Sequence, residues 1–180
     1  MRHTLVALVE DRPGALNRVL GLLRGRALTV YSIAFGESET QGVRRITVVV
    51  DTNDVQQTIK QLNRLIEVLE VADVTNAEYV VRETALVKIQ APEPRREEIR
   101  SVAEGFGAKL VGIYGPTVVF EMTDTPDRLG EMIERAKVFG PCETMRSGSL
   151  AMALGVTASP TEVPAREEVT RPWWQADGAC

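Results

Sequence analysis

Side chains able to transfer protons or attack a substrate are few in this chain of 180 residues. A single histidine, His3, stands beside the chain start in a strand-like run, a place that predicts an exposed ring rather than a base held against a substrate. The two cysteines, Cys142 and Cys180, show neither the CxxC spacing of a copper or zinc carrier nor a disulfide framework, so both read as reduced thiols of a cytoplasmic protein. No GxSxG elbow, Walker loop, GxGxxG turn or HExxH pair occurs, and carboxylates such as Glu97, Glu98 and Glu104 read as solvated. This inventory argues against an enzyme: no catalytic residue, metal site or cofactor is expected in the chain.

Binding chemistry is more plausible than catalysis at one turn, Asp11-Arg12-Pro13-Gly14. It leads into Ala15, Leu16, Val19, Leu20 and Leu23, which fall on one face of a helix. The first N–H groups of a helix have no helical acceptor, and the helix dipole adds partial positive charge there, so a carboxylate ligand is favoured. Gly14 would let a ligand approach the backbone with no Cβ in the way, and Pro13 fixes φ without removing a useful donor. Asp11 can accept from a ligand ammonium or cap the helix. The residues alone favour the capping turn, the commoner use of Asp and Pro ahead of a helix.

The elements around this turn follow from hydrophobic spacing and punctuation. Residues 3–10 read as a strand and the run after Gly14 as a helix; 29–35 and 43–51 read as a hairpin whose loop is 36–42. Val55, Ile59, Leu62 and Ile66 recur at helical spacing, and 68–75 supplies a fourth strand. The order is βαββαβ, the split arrangement of ferredoxin-like domains. From Tyr79 the order repeats: 84–90 as a strand, Ile99, Val102, Ala103 and Phe106 on a helix face, and a hairpin of 109–114 and 117–122 joined at Gly115-Pro116. Leu129, Met132, Ile133 and Ala136 then mark a helix opened by Thr125-Pro126, and 142–146 is the last strand. The fold class is therefore α+β, two ferredoxin-like βαββαβ domains in tandem, over 1–78 and 79–155. Residues 156–180, interrupted by Pro160, Pro164 and Pro172, read as a tail that lies on its own domain or is mobile, with Trp173-Trp174 as a docking motif the alternative.

Other uses of the fold are testable on composition. The net charge of −4 gives no basic field for nucleic acid, and no run approaches the length of a membrane helix. An RNA reader would stack bases on aromatics of its central strands, where only Phe120 is offered.

At the Asp11–Gly14 turn the chain resembles the small, regulatory subunits of acetolactate synthase (acetohydroxyacid synthase), built from an ACT domain and a second ferredoxin-like domain. LVALVEDRPGALNRVLGLLRGR is similar to that family's opening strand, loop and helix, YSIAFGESETQGVRRITVVVD to its hairpin, and QLNRLIEVLEV to its second helix and last strand. VRETALVKI resembles the start of the second domain and MRSG its end. The resemblance covers roughly the first 150 residues, in family order. It implies an ACT domain over 1–78, a homodimer of ACT domains side by side, and a branched-chain amino acid, usually valine, bound at their interface. It also implies a partner: a large catalytic subunit that carries thiamine diphosphate, Mg and FAD, is activated by the small subunit and is feedback-inhibited through it. Carried over by position, Asp11, Pro13, Gly14, Ala15 and Leu16 would hold the effector's charged groups, and Thr29 and Val30 of the neighbouring protomer would complete the pocket.

Two positions depart from the family pattern, which commonly has Asn at Thr29 and Gly at Ala27. Asn offers a donor and an acceptor where Thr offers one hydroxyl, so effector binding is expected to be weakened, altered in selectivity, or absent. A free-standing amino-acid-sensing ACT protein is the alternative function; it leaves the second domain unexplained.

Overall fold

The computed structural model describes residues 1–26 and 28–154, and within them two antiparallel sheets each carry a pair of helices. In the first, β1 (Arg2–Glu10), α1 (Ala15–Gly25), β2 (Thr29–Glu37), β3 (Val43–Asp51), α2 (Val55–Leu62) and β4 (Val68–Asp73) give the strand order β2-β3-β1-β4. Alternation along each strand sends every second residue to one side, so Leu5, Ala7 and Val9 of β1 meet Ile46, Val48 and Val50 of β3 under Val19 and Leu23 of α1 and Leu62 of α2. The order places β2 at one margin of the sheet.

The second unit repeats the plan with β5 (Tyr79–Gln90), α3 (Arg96–Gly105), β6 (Lys109–Tyr114), β7 (Thr117–Asp124), α4 (Pro126–Lys137) and β8 (Cys142–Arg146), ordered β6-β7-β5-β8. Its core joins Val87 and Ile89 of β5 and Phe120 of β7 to Ile99 of α3 and Leu129 of α4. Phe120 is fully buried, so the aromatic weighed as an RNA-stacking surface belongs to the core. Sequence-encoded caps start two helices: Asp54 accepts from the Gln57 N–H at 2.9 Å, and Thr125 stands ahead of Pro126 at the first helical position.

Three details differ from the sequence-based expectation. First, β5 starts at Tyr79, not at 84, because its opening residues pair with a further strand, β9 (Leu150–Ala153), in the register Tyr79↔Ala153 to Arg82↔Leu150. The chain thus has a strand after 142–146, and the β5–β9 ribbon leans on the first sheet. Second, α2 ends at Leu62, and Leu65 in the following turn takes the core contact, which turns Ile66 outward at 64% exposure. Third, His3 is buried rather than exposed, its Nδ1 standing 3.0 Å from Asp73 Oδ2. Tertiary neighbours explain it: His3 pairs with Val50 of β3 on one side, and Asp73, at the end of β4, meets its ring on the other. Ala27, Cys180 and the 156–180 tail with Trp173-Trp174 lie outside the described residues.

Candidate functional site

The Asp11–Leu16 segment surrounds a cleft of about 480 Å³ between the end of β1 and the start of α1. Asp11, Pro13, Gly14, Ala15 and Leu16 all line it, and Phe35 of β2 closes one side. Gly14 is the N-cap of α1 in the left-handed region, at φ 84°, with no side chain capping the helix. That conformation explains a glycine there, since a Cβ would clash with its own backbone. Asp11 therefore does not cap; its N–H donates to the Gly42 carbonyl at 2.8 Å and its carboxylate meets Arg44 at 2.9 Å. The hydrogen bond that Arg44 donates to Asp11, and then the charges of Asp11 and Glu37, raise the Arg44 pKa against the cost of desolvation. The Ala15 N–H donates to the Arg12 carbonyl at 3.2 Å and the Arg18 N–H to the Gly14 carbonyl at 3.0 Å.

Beside the loop lie two carboxylates that the sequence reading did not single out. Glu10 and Glu67, each 4% exposed, sit at adjoining ends of β1 and β4, where the Glu10 N–H donates to the Glu67 carbonyl at 2.8 Å. Glu10 pairs with Arg12 at 2.8 Å and Glu67 with Arg18 at 2.5 Å. Burial favours the neutral Glu67 carboxyl, but the Arg18 hydrogen bond, its own backbone and the charges of Arg18 and Arg12 together hold it below the ordinary carboxylate range. The same Arg18 guanidinium reaches to 3.5 Å from the point where a Cβ on Gly14 would stand. The available signal was faint: an acid closing one apolar strand, an acid opening another, and arginines at 12 and 18.

Thr29 and Val30 are elsewhere. They pair with Asp51 and Val50 at one end of β3, whereas the loop leaves β1 opposite Val43 at the other end. Eight residues of antiparallel strand separate the two, about 27 Å. Within one chain, Asp11–Leu16 and Thr29–Val30 are not brought together. Thr29, Val30 and Tyr31 are exposed along the outer strand, Val30 at 37% and Tyr31 at 49%.

Residues 5–70 match the family model described as "AHAS small subunit-like ACT domain", and residues 82–155 match "Small subunit of acetolactate synthase". The acetolactate synthase small subunit of Bacillus subtilis is 39% identical over 158 residues, covering 86% of this chain and 92% of that protein. The chain belongs to the acetolactate synthase small-subunit family. A probable acetolactate synthase small subunit of Archaeoglobus fulgidus is 37% identical over 157 residues, 86% of this chain and 98% of that one. The crystal structure of the acetolactate synthase small subunit from Thermotoga maritima superposes with a TM-score of 0.79 at 28% identity, over 87% of this chain and 99% of that chain. The small-subunit family thus shares the tandem ferredoxin-like architecture, the first unit an ACT domain.

Among the described residues, no group of three or more His, Cys, Asp or Glu side chains is placed to hold a metal ion. Nor is any helix among them long and apolar enough to cross a membrane. Cys142 is a free thiol whose pKa burial raises, with Lys137 pulling the other way. Glu97, Glu98 and Glu104 are exposed on α3, the first two in pairs with Arg100 and Arg95.

Proposed function

We propose that the chain is a non-catalytic regulatory subunit of acetolactate synthase that works in the cytoplasm. It binds a branched-chain amino acid, valine first, between the ACT domains of a homodimer. It activates a separate catalytic subunit and transmits feedback inhibition to it. Thiamine diphosphate, Mg and FAD belong to that catalytic subunit. Residues 1–78 act as the effector unit and 79–155 as the unit that receives its signal.

One observation carries the reading: the two halves of the expected pocket lie at opposite ends of the same sheet, and β2 is that sheet's outer strand. An outer strand offers unpaired N–H and C=O groups to another strand. A two-fold axis that pairs β2 with its own copy does so antiparallel, and isologous contact of this kind is the commonest route to a dimer. The reversal carries Thr29 and Val30 of the second copy alongside Phe35, which borders the Asp11–Leu16 cleft. A zwitterion there finds helix amides for its carboxylate, the Asp11 carboxylate for its ammonium, and Leu16, Phe35 and Val30 of the second copy for an aliphatic side chain.

Co-purification with the catalytic subunit, followed by synthase assays with and without valine, tests the proposal. Higher activity in the complex and inhibition by valine are the expected results. Stable binding of an amino acid by the chain with no association to the synthase would instead indicate a free-standing sensor. Calorimetric titration with valine, leucine and isoleucine ranks the effectors.

A further inference from the structure

One face of β5 and of its two partners β8 and β9 carries apolar side chains that the fold leaves uncovered. Leu150 is 61% exposed, Met152 58%, Leu86 43% and Met145 73%. They share a face: Met152 stands directly across from Val80, Leu150 from Arg82 and Met145 from Leu86, and alternation puts Val80, Arg82 and Leu86 on one side of β5. The row does not end in open surface. Leu150 and Met152 form one wall of a groove of about 520 Å³ whose other wall is β2 from Ile33 to Glu37, Phe35 included. The apolar row is therefore continuous with the outer strand.

We propose that this row is the second half of the homodimer interface, covered by a second copy of the chain. The inference rests on the β2 pairing proposed above. Area argues for it. A nine-residue strand edge presents a strip about 30 Å long and 5 Å wide, far short of the roughly 800 Å² per partner that a stable interface needs. A two-fold axis at β2 brings the two ribbons to the same side of the sheet, next to the axis, since each ribbon borders its own β2. Exposed apolar side chains with an arginine among them, here Arg82 across from Leu150, and a charged margin, here Lys88 and Glu143, are the composition of an association face.

Sedimentation of the full chain over a concentration series tests this with three variants. Leu150→Glu combined with Met145→Glu is expected to raise the dimer dissociation constant at least tenfold. Val138→Glu, a position equally exposed at 73% but beyond α4 on the helix side, is expected to leave it unchanged. Val30→Glu tests the β2 pairing itself. An unchanged dimer in the double variant beside a monomeric Val30→Glu protein overturns the inference and leaves the β2 pairing standing. A dimer that survives Val30→Glu but dissociates in the double variant supports the ribbon face while removing the β2 pairing. A double variant that keeps its dimer and loses the catalytic subunit assigns the row to that subunit and also overturns the inference. All four positions are exposed, so circular dichroism melts should match those of the unmodified chain.

Discussion

The backbone N–H of Ser149 donates to the Ser32 hydroxyl at 2.8 Å, a bond between residues 117 positions apart that fastens the second domain to the outer strand of the first. Next to it, Gly148 adopts φ +82°, and a Cβ there would stand 2.7 Å from the Ile33 carbonyl oxygen. The left-handed conformation costs a non-glycine residue about 1–2 kcal/mol, before the clash is counted. Gly148→Ala is therefore expected to lower stability by about 1–3 kcal/mol and to speed proteolysis between the domains. Thermal unfolding and limited digestion check it. Ser32→Ala removes only the acceptor and should cost about 0.5–1.5 kcal/mol. Equal melting of both variants and the unmodified chain would mean that this contact is not held in solution.

At the proposed effector loop, Gly14→Asp should abolish valine inhibition while leaving activation of the catalytic subunit intact. The new carboxylate repels that of the ligand, and Arg18, 3.5 Å from the Cβ position, is near enough to be drawn onto it. Asp tolerates a positive φ better than most residues, so the fold survives the change. Synthase assays of the reconstituted complex decide: retained inhibition would place the effector elsewhere.

Thr29 supplies one hydroxyl where an amide would supply a donor and an acceptor. Thr29→Asn adds about one hydrogen bond, about 0.5–1.5 kcal/mol, and should tighten valine binding roughly 2- to 13-fold. Calorimetry measures it. No change in affinity would show that position 29 does not reach the ligand.

In the second domain Arg146 grips Glu83 through two bonds, Nε to Oε1 at 2.7 Å and a terminal nitrogen to Oε2 at 2.8 Å, and Glu83 is 5% exposed. Breaking such a pair from the arginine side strands a buried charge. Arg146→Ala should cost about 3 kcal/mol, and adding Glu83→Gln should recover part of that loss. Denaturant unfolding of the single and double variants separates the two effects.

Acid should weaken the first domain through Glu67. Its folded carboxyl titrates below the ordinary value, so its contribution is complete above the unfolded value of about 4.3 and is lost as pH falls through the lower folded one. Asp73 acts in the same direction: burial opposes its ionisation, and hydrogen bonds from the Thr75 side chain and backbone together with His3 outweigh that. Chemical unfolding from pH 7 down to pH 3 should show falling stability, with a shallower fall in Glu67→Gln. An unaltered slope would clear Glu67 of the effect.

Much of the fold was legible because it is written in neighbours. Alternation in 43–51 and helical spacing from Ala15 to Leu23 each depend on residues within two turns of one another, and both recur in the structure as β3 and α1. The strand β9 was missed for the opposite reason: its four residues, Leu150–Ala153, have no period to read, and what makes them a strand is the opening of β5, about 70 residues earlier. The ion pairs of Glu67 and Glu83 escaped likewise, since an acid beside a strand-like run looks solvated until its arginine is placed.

By itself the sequence determined two βαββαβ units and a glycine bend at a helix entrance, because period, capping and turn chemistry are local and act in any context. Tertiary structure decided that His3 is covered, that Asp11 answers to Arg44 instead of the helix, and that Thr29 lies a full strand length from Gly14. Those facts depend on which distant strands become neighbours. That choice is made by burying two apolar faces at once, and no short window of residues contains it.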